Sequence, residues 1–137
     1  MSTQMRVMVA VGSGAALGSV VRYLVSAGLL HIAGPEFPWG TLAVNVFGSF
    51  LIGLYFALTE PGGRWRVGPA SRQFVLAGFC GGLTTFSIFS LEALQMVQAG
   101  DHAAAAGLVA SSALLWLLAV WAGHRCGGRI NGRTRAN

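Results

Sequence analysis

Lysine does not occur in this 137-residue chain, and residues of either charge make up only 9% of it. Soluble domains carry roughly 25% charged residues, so a water-facing surface cannot be assembled here. Cysteine is scarce too: Cys80 lies inside an apolar run and Cys126 near the end of another, so neither a disulfide framework nor a Cys/His zinc set is available. His31, His102 and His124 stand singly at segment ends and read as interfacial residues. No nucleophile, base and orienting group fall into one constellation, which excludes an enzyme. Deep acids are equally lacking, because Glu92 is the one carboxylate within an apolar run and it sits toward the end of that run. A proton-coupled exporter built from so short a chain needs a central carboxylate for proton exchange. The alternative of a small four-helix multidrug exporter is weakened by that gap.

What the chain does have is hydrophobic length. Of its residues 54% are hydrophobic, and four runs, about 7–30, 38–59, 73–98 and 103–124, each reach the roughly 20 residues that cross a bilayer as a helix. The expectation is an all-α integral membrane protein with four transmembrane helices, forming one membrane domain over 1–137. The first run is long, contains Arg22 and lacks a small-residue cleavage site, so it is expected to stay in the membrane rather than act as a signal peptide.

All nine cationic residues are arginine, giving a net charge of +5. Arg6, Arg64, Arg66, Arg72, Arg125, Arg129, Arg133 and Arg135 fall in the N-terminal stretch, the loop near 60–72 and the C-terminal stretch, which share one side after four crossings. The two opposite loops hold only Glu36 and Asp101. By the positive-inside rule both termini are expected in the cytoplasm. A basic stripe interleaved with exposed aromatics is missing, so nucleic acid is not an expected partner. The C-terminal arginines, spaced by Gly127, Gly128 and Gly132, read as a solvated tail beside anionic lipid.

Polar residues punctuate the runs. Gly14 and Gly18 make a small-xxx-small face that lets helices approach closely in lipid; Ser19, Arg22 and Ser26 follow on the same face. An arginine that deep needs water, a partner or an anion, or it snorkels to the interface. In the second run Thr41, Asn45 and Ser49 recur every four residues beside Gly48. An amide at that depth either binds helices together or coordinates a passing solute, and both readings stand.

The third run holds Gly81-Gly82-Leu83-Thr84-Thr85-Phe86-Ser87-Ile88-Phe89-Ser90. Such a stretch predicts a helix broken near its middle, tolerated where the freed backbone is buried in protein or lines an aqueous cavity. Broken helices offer oriented carbonyls and N–H groups to ions. Phe86 and Phe89 share a face beyond the break, and the positive edges of aromatic rings can touch an anion. A phenylalanine pair at this spacing is more often plain packing, but packing has no use for the adjoining hydroxyls.

With these motifs the chain resembles the Fluc/CrcB fluoride-channel family nearly end to end. The likeness rests on Gly18-x-x-x-Arg22-Tyr23, on Gly40-Thr41-Leu42-x-Val44-Asn45-x-x-Gly48, and most specifically on Gly81-Gly82-Leu83-Thr84-Thr85-Phe86-Ser87-x-Phe89-Ser90-x-Glu92. The resemblance implies an antiparallel dimer that exports fluoride passively through two pores at the subunit interface. It implies that Phe86 and Phe89 face fluoride with their ring edges, that Asn45 lies beside them, that Arg22 serves a positive vestibule, and that Thr85, Ser87, Ser90 and Ser112 are candidates for a polar track. It also implies a structural sodium ion on the dimer axis, held by the backbone carbonyls of Gly81 and Thr84. Relatives often carry a tyrosine where this chain has Leu108 and a serine where it has Trp116. The arginine bias favours one orientation, so the inverted subunit is expected either from the same chain or from an oppositely biased homologue, making a heterodimer.

Overall fold

The computed structural model describes residues 1–135, with the side chains of 133–135 left aside. Arg133 and Arg135, counted above in the arginine bias, thus have side chains outside the described residues. Among the described residues, four helical spans are long and apolar enough to cross a membrane: Thr3–Ala33, Trp39–Thr59, Pro69–Gln98 and His102–Gly132.

Two helix starts lie where a polar side chain satisfies freed backbone, not where hydropathy stops. The first span begins at Thr3 rather than near residue 7, because Ser2 Oγ accepts the Met5 N–H at 3.3 Å. It ends at Gly34, whose φ of 78° suits a residue without Cβ and whose N–H returns to the Leu30 carbonyl. Asp101 caps the fourth helix, accepting the Ala104 N–H at 2.9 Å.

The fourth helix runs past the expected end near 124, through the arginine-bearing stretch, to Arg135. Arginine is a good helix former, and Asn131 docks the extension: its Nδ2 donates to the Ala57 carbonyl at 2.7 Å, and its Oδ1 accepts the Arg64 N–H at 2.9 Å.

The bundle is organised as two tight pairs, the first span along the third and the second along the fourth. Glycine sets both seams. A Cβ on Gly18 would strike the Phe79 carbonyl and the Leu83 N–H, and one on Gly82 would strike Ala15. Across the other seam, a Cβ on Gly53 would meet the Val120 carbonyl and one on Gly123 the Phe50 carbonyl. Backbones this close gain dispersion contacts that side chains would prevent, the usual basis of association in lipid. Large apolar side chains such as Met8, Leu17, Leu24 and Leu117 face outward, whereas Thr41, Asn45, Thr85 and Ser112 are buried. That inverted distribution suits a lipid surround.

Candidate functional site

The third span carries the polar stretch. It starts helical at Pro69–Gln73, winds as a π-helix over Phe74–Cys80 and resumes an α-turn at Gly81–Leu83. Residues 84–86 then leave the helix before Ser87–Gln98 completes the span, with only a slight bend overall. The first half ends at Leu83, and the Cys80 carbonyl accepts both the Thr84 N–H and the Thr84 hydroxyl at 2.9 Å. Thr84 itself is extended, at φ −81° and ψ 155°.

Asn45 closes on the gap from the second span. Its Nδ2 donates to the Thr85 carbonyl at 2.9 Å and its Oδ1 accepts the Thr85 N–H at 2.7 Å. Of the two readings of Asn45, bonding between helices is therefore realised in this chain, and one Nδ2 hydrogen remains for another acceptor. Thr85 Oγ1 in turn accepts the Ile88 N–H at 3.2 Å, capping the second half, and lies 3.3 Å from Ser87 Oγ.

These bonds have a shared result. In an unbroken helix the Gly81 carbonyl would accept from Thr85 N–H and the Thr84 carbonyl from Ile88 N–H. Both donors have gone to side chains, Asn45 Oδ1 and Thr85 Oγ1. Gly81 and Thr84 are the two carbonyls expected from the resemblance to hold a cation.

Phe86 and Phe89 come together on the far side of the gap, ring centroids 5.6 Å apart and tilted by 45°. They differ sharply in environment: Phe86 is 71% uncovered by this chain and Phe89 only 7%. Phe89 is packed edge-on to Trp116 of the fourth helix, centroids 4.9 Å apart. Trp116 also joins Asn45, Ser49, Ile52, Thr84, Thr85 and Phe86 around a cavity of about 210 Å³. Gly81, Ser87 and Ser90 lie exposed along the same stretch. The Ser90 hydroxyl bonds back to the Phe86 carbonyl at 2.8 Å.

Two expected residues lie apart from this cluster. Arg22 is half-exposed on the first span, one turn beyond Ser19, whose Oγ is 3.5 Å from the Gly82 carbonyl. Ser112 is fully buried on the fourth helix, and its Oγ has no hydrogen-bond partner. Trp116 Nε1 and Glu92 Oε2 share that condition. A buried polar atom left unpaired costs about 1–3 kcal/mol, so three in one small bundle call for an explanation.

Glu92 accepts from Thr41 Oγ1 at 2.8 Å and borders a larger cavity, about 700 Å³, near the turn at Gly34 to Trp39. In the sequence Glu92 speaks mainly against proton coupling, and its bond to Thr41 emerges only in the fold. The signal was present in the four-residue spacing of Thr41, Asn45 and Ser49, two of which bond to the third span. Trp116 was noted only as a departure. Its place beside Phe89 depends on packing between separate helices.

Residues 9–124 match the family described as CrcB-like protein, Camphor Resistance (CrcB). The chain is 46% identical over 121 residues to fluoride-specific ion channel FluC 1 of Rhodopseudomonas palustris (strain BisB18), covering 88% of this chain and 86% of the relative. Fluoride-specific ion channel FluC 1 of Bradyrhizobium diazoefficiens is 48% identical over 121 residues, covering 88% and 84%. Fluoride-specific ion channel FluC of Opitutus terrae is 51% identical over 111 residues, covering 81% and 84%.

Proposed function

This chain belongs to the CrcB-like family, and from that premise we propose that it is a fluoride-selective ion channel, not an enzyme, which lets cytoplasmic fluoride leave passively and so relieves its toxicity. The observation that carries the reading is the phenylalanine pair, Phe86 and Phe89, set 5.6 Å apart directly beyond a break clasped by Asn45, in a multi-pass membrane protein similar to channels of that name. Fluoride is small and strongly hydrated, so a pore must replace its water with hydrogen-bond donors and positive ring edges.

The pathway is completed by a second subunit in this reading. Gly81, Phe86, Ser87 and Ser90 are uncovered by their own chain, and a lipid-facing row of hydroxyls and free carbonyl is costly. An antiparallel partner covers that row and turns it into the wall of a pore. The second subunit is the same chain or, given eight arginines on one side and none in the opposite loops, a homologue of opposite bias. The same asymmetry supports an orientation of this chain with both termini in the cytoplasm.

Sodium at the carbonyls of Gly81 and Thr84 fits the residues present, because the N–H donors those carbonyls would otherwise receive are taken by side chains. The carbonyls of Gly81 and Thr84 would hold sodium without carboxylates, and the ion would supply fixed positive charge there. Asn45 and Thr85 keep the carbonyls available.

Fluoride efflux from liposomes tests the function. Efflux from this chain alone supports the homodimer; efflux only when a homologue is co-reconstituted supports the heterodimer. Absence of efflux in both preparations defeats the channel reading. Reporters fused to the C-terminus test orientation, and substantial signal on both membrane faces rules out a fixed topology.

A further inference from the structure

We infer that Trp116 is an ion-contacting residue of the pathway, donating its indole N–H to fluoride in transit; this rests on the fluoride-channel reading. The indole nitrogen is a hydrogen-bond donor and cannot accept. In this chain Nε1 is buried and has no acceptor. A missing partner for such a group can only be an acceptor, which distinguishes it from a hydroxyl, able to serve either role.

The surroundings narrow what that acceptor is. Trp116 borders the cavity of about 210 Å³ with Asn45, Ser49, Thr84, Thr85 and Phe86, none of them acidic. Its ring packs edge-on against Phe89, one of the two rings assigned to the ion. Ser112 lies one turn earlier on the same helix, and its hydroxyl is also buried and unpartnered. Residues four apart share a helical face, so the fourth helix carries a second unpartnered polar atom one turn from Trp116, outside the cavity lining itself. Fluoride, a compact anion that only accepts, matches the indole. An unpaired indole donor beside a cavity whose lining holds no acid gives a dehydrating anion a replacement for lost water.

Nitrogen-15 NMR tests this directly. Replacing Trp39, Trp65 and Trp121 by phenylalanine leaves Trp116 as the sole indole, since the chain has four tryptophans. Sodium fluoride is added to the conducting assembly in detergent, with sodium chloride as control. The Trp116 indole proton is expected to move downfield with fluoride and not with chloride. In parallel, Trp116→Phe retains a ring but removes the N–H, and is expected to lower fluoride flux about tenfold or more, the loss of one hydrogen bond to an ion, while assembly persists. An indole signal indifferent to fluoride in an assembly that conducts overturns the role of Trp116 and leaves the channel function standing. Equal movement with chloride overturns its selectivity for fluoride. A fluoride-dependent shift in a protein that carries no flux retains the site and removes the channel reading.

Discussion

Asn45 holds the Thr85 peptide at both ends, donating to its carbonyl at 2.9 Å and accepting from its N–H at 2.7 Å. One side chain on the second span thereby fixes the conformation of the third. Replacing it with leucine leaves two buried backbone groups without partners, and Asn45→Leu is expected to destabilise the fold by about 2–4 kcal/mol. Thermal unfolding in detergent measures this, and a wild-type midpoint would contradict the clasp. Asn45→Asp keeps an acceptor for the N–H but turns a second oxygen toward the carbonyl, so it is expected to fall below wild type as well.

The two phenylalanines should separate flux from stability. Phe86→Ile and Phe89→Ile are both expected to reduce fluoride flux by at least tenfold, because isoleucine offers no positive ring edge. Phe86 packs little against its own chain, whereas Phe89 sits against Trp116. Phe89→Ile is therefore expected to cost about 1 kcal/mol more in folding, in line with the worth of an aromatic pair. Liposome efflux and melting curves on the same preparations make the comparison; undiminished flux in both variants removes their assigned role.

Glycine at the seam between the first and third spans is a matter of room. Gly18→Ala puts a methyl onto the Phe79 carbonyl and the Leu83 N–H, and backbone cannot retreat as a side chain tip does. The expected cost is about 1–3 kcal/mol. Gly12 has nothing within 4 Å of its would-be Cβ, so Gly12→Ala should be neutral or stabilise by up to about 1 kcal/mol through helix propensity. If both alanines behave alike in a melting assay, the seam is not as close as described.

The sodium proposed at the carbonyls of Gly81 and Thr84 predicts a dependence on that ion. Exchanging sodium for N-methylglucamine on both sides of the liposome is expected to abolish or sharply slow fluoride efflux, and returning sodium to restore it. Equal rates in both media count against a structural role for the ion.

Much of this organisation was legible in the chain itself. Four spans announce themselves because crossing a bilayer takes a long apolar run, and the break shows as glycine and hydroxyl residues where lipid permits neither without compensation. Helix ends were less legible: Ser2, Asp101 and Asn131 extend or anchor helices through single hydrogen bonds that hydropathy does not register. Gly82 reads as part of a polar interruption, yet a Cβ on it would strike Ala15 of the first span, and one on Gly78, outside that stretch, would strike Val11. This packing role depends on which helix lies opposite. The same holds for Trp116, whose meeting with Phe89 joins residues 27 apart in sequence.

The diverted donors also bear on motion. Gaps in membrane helices are commonly pictured as hinges, where peptide hydrogens trade rapidly with deuterium. Here the amides of Thr85 and Ile88 are held by side chains of Asn45 and Thr85, both buried. Their exchange should be nearly as slow as in the flanking helix. The gap is then a rigid fitting: a place where the ladder of peptide bonds is rewired, its oxygens set free without its backbone becoming loose.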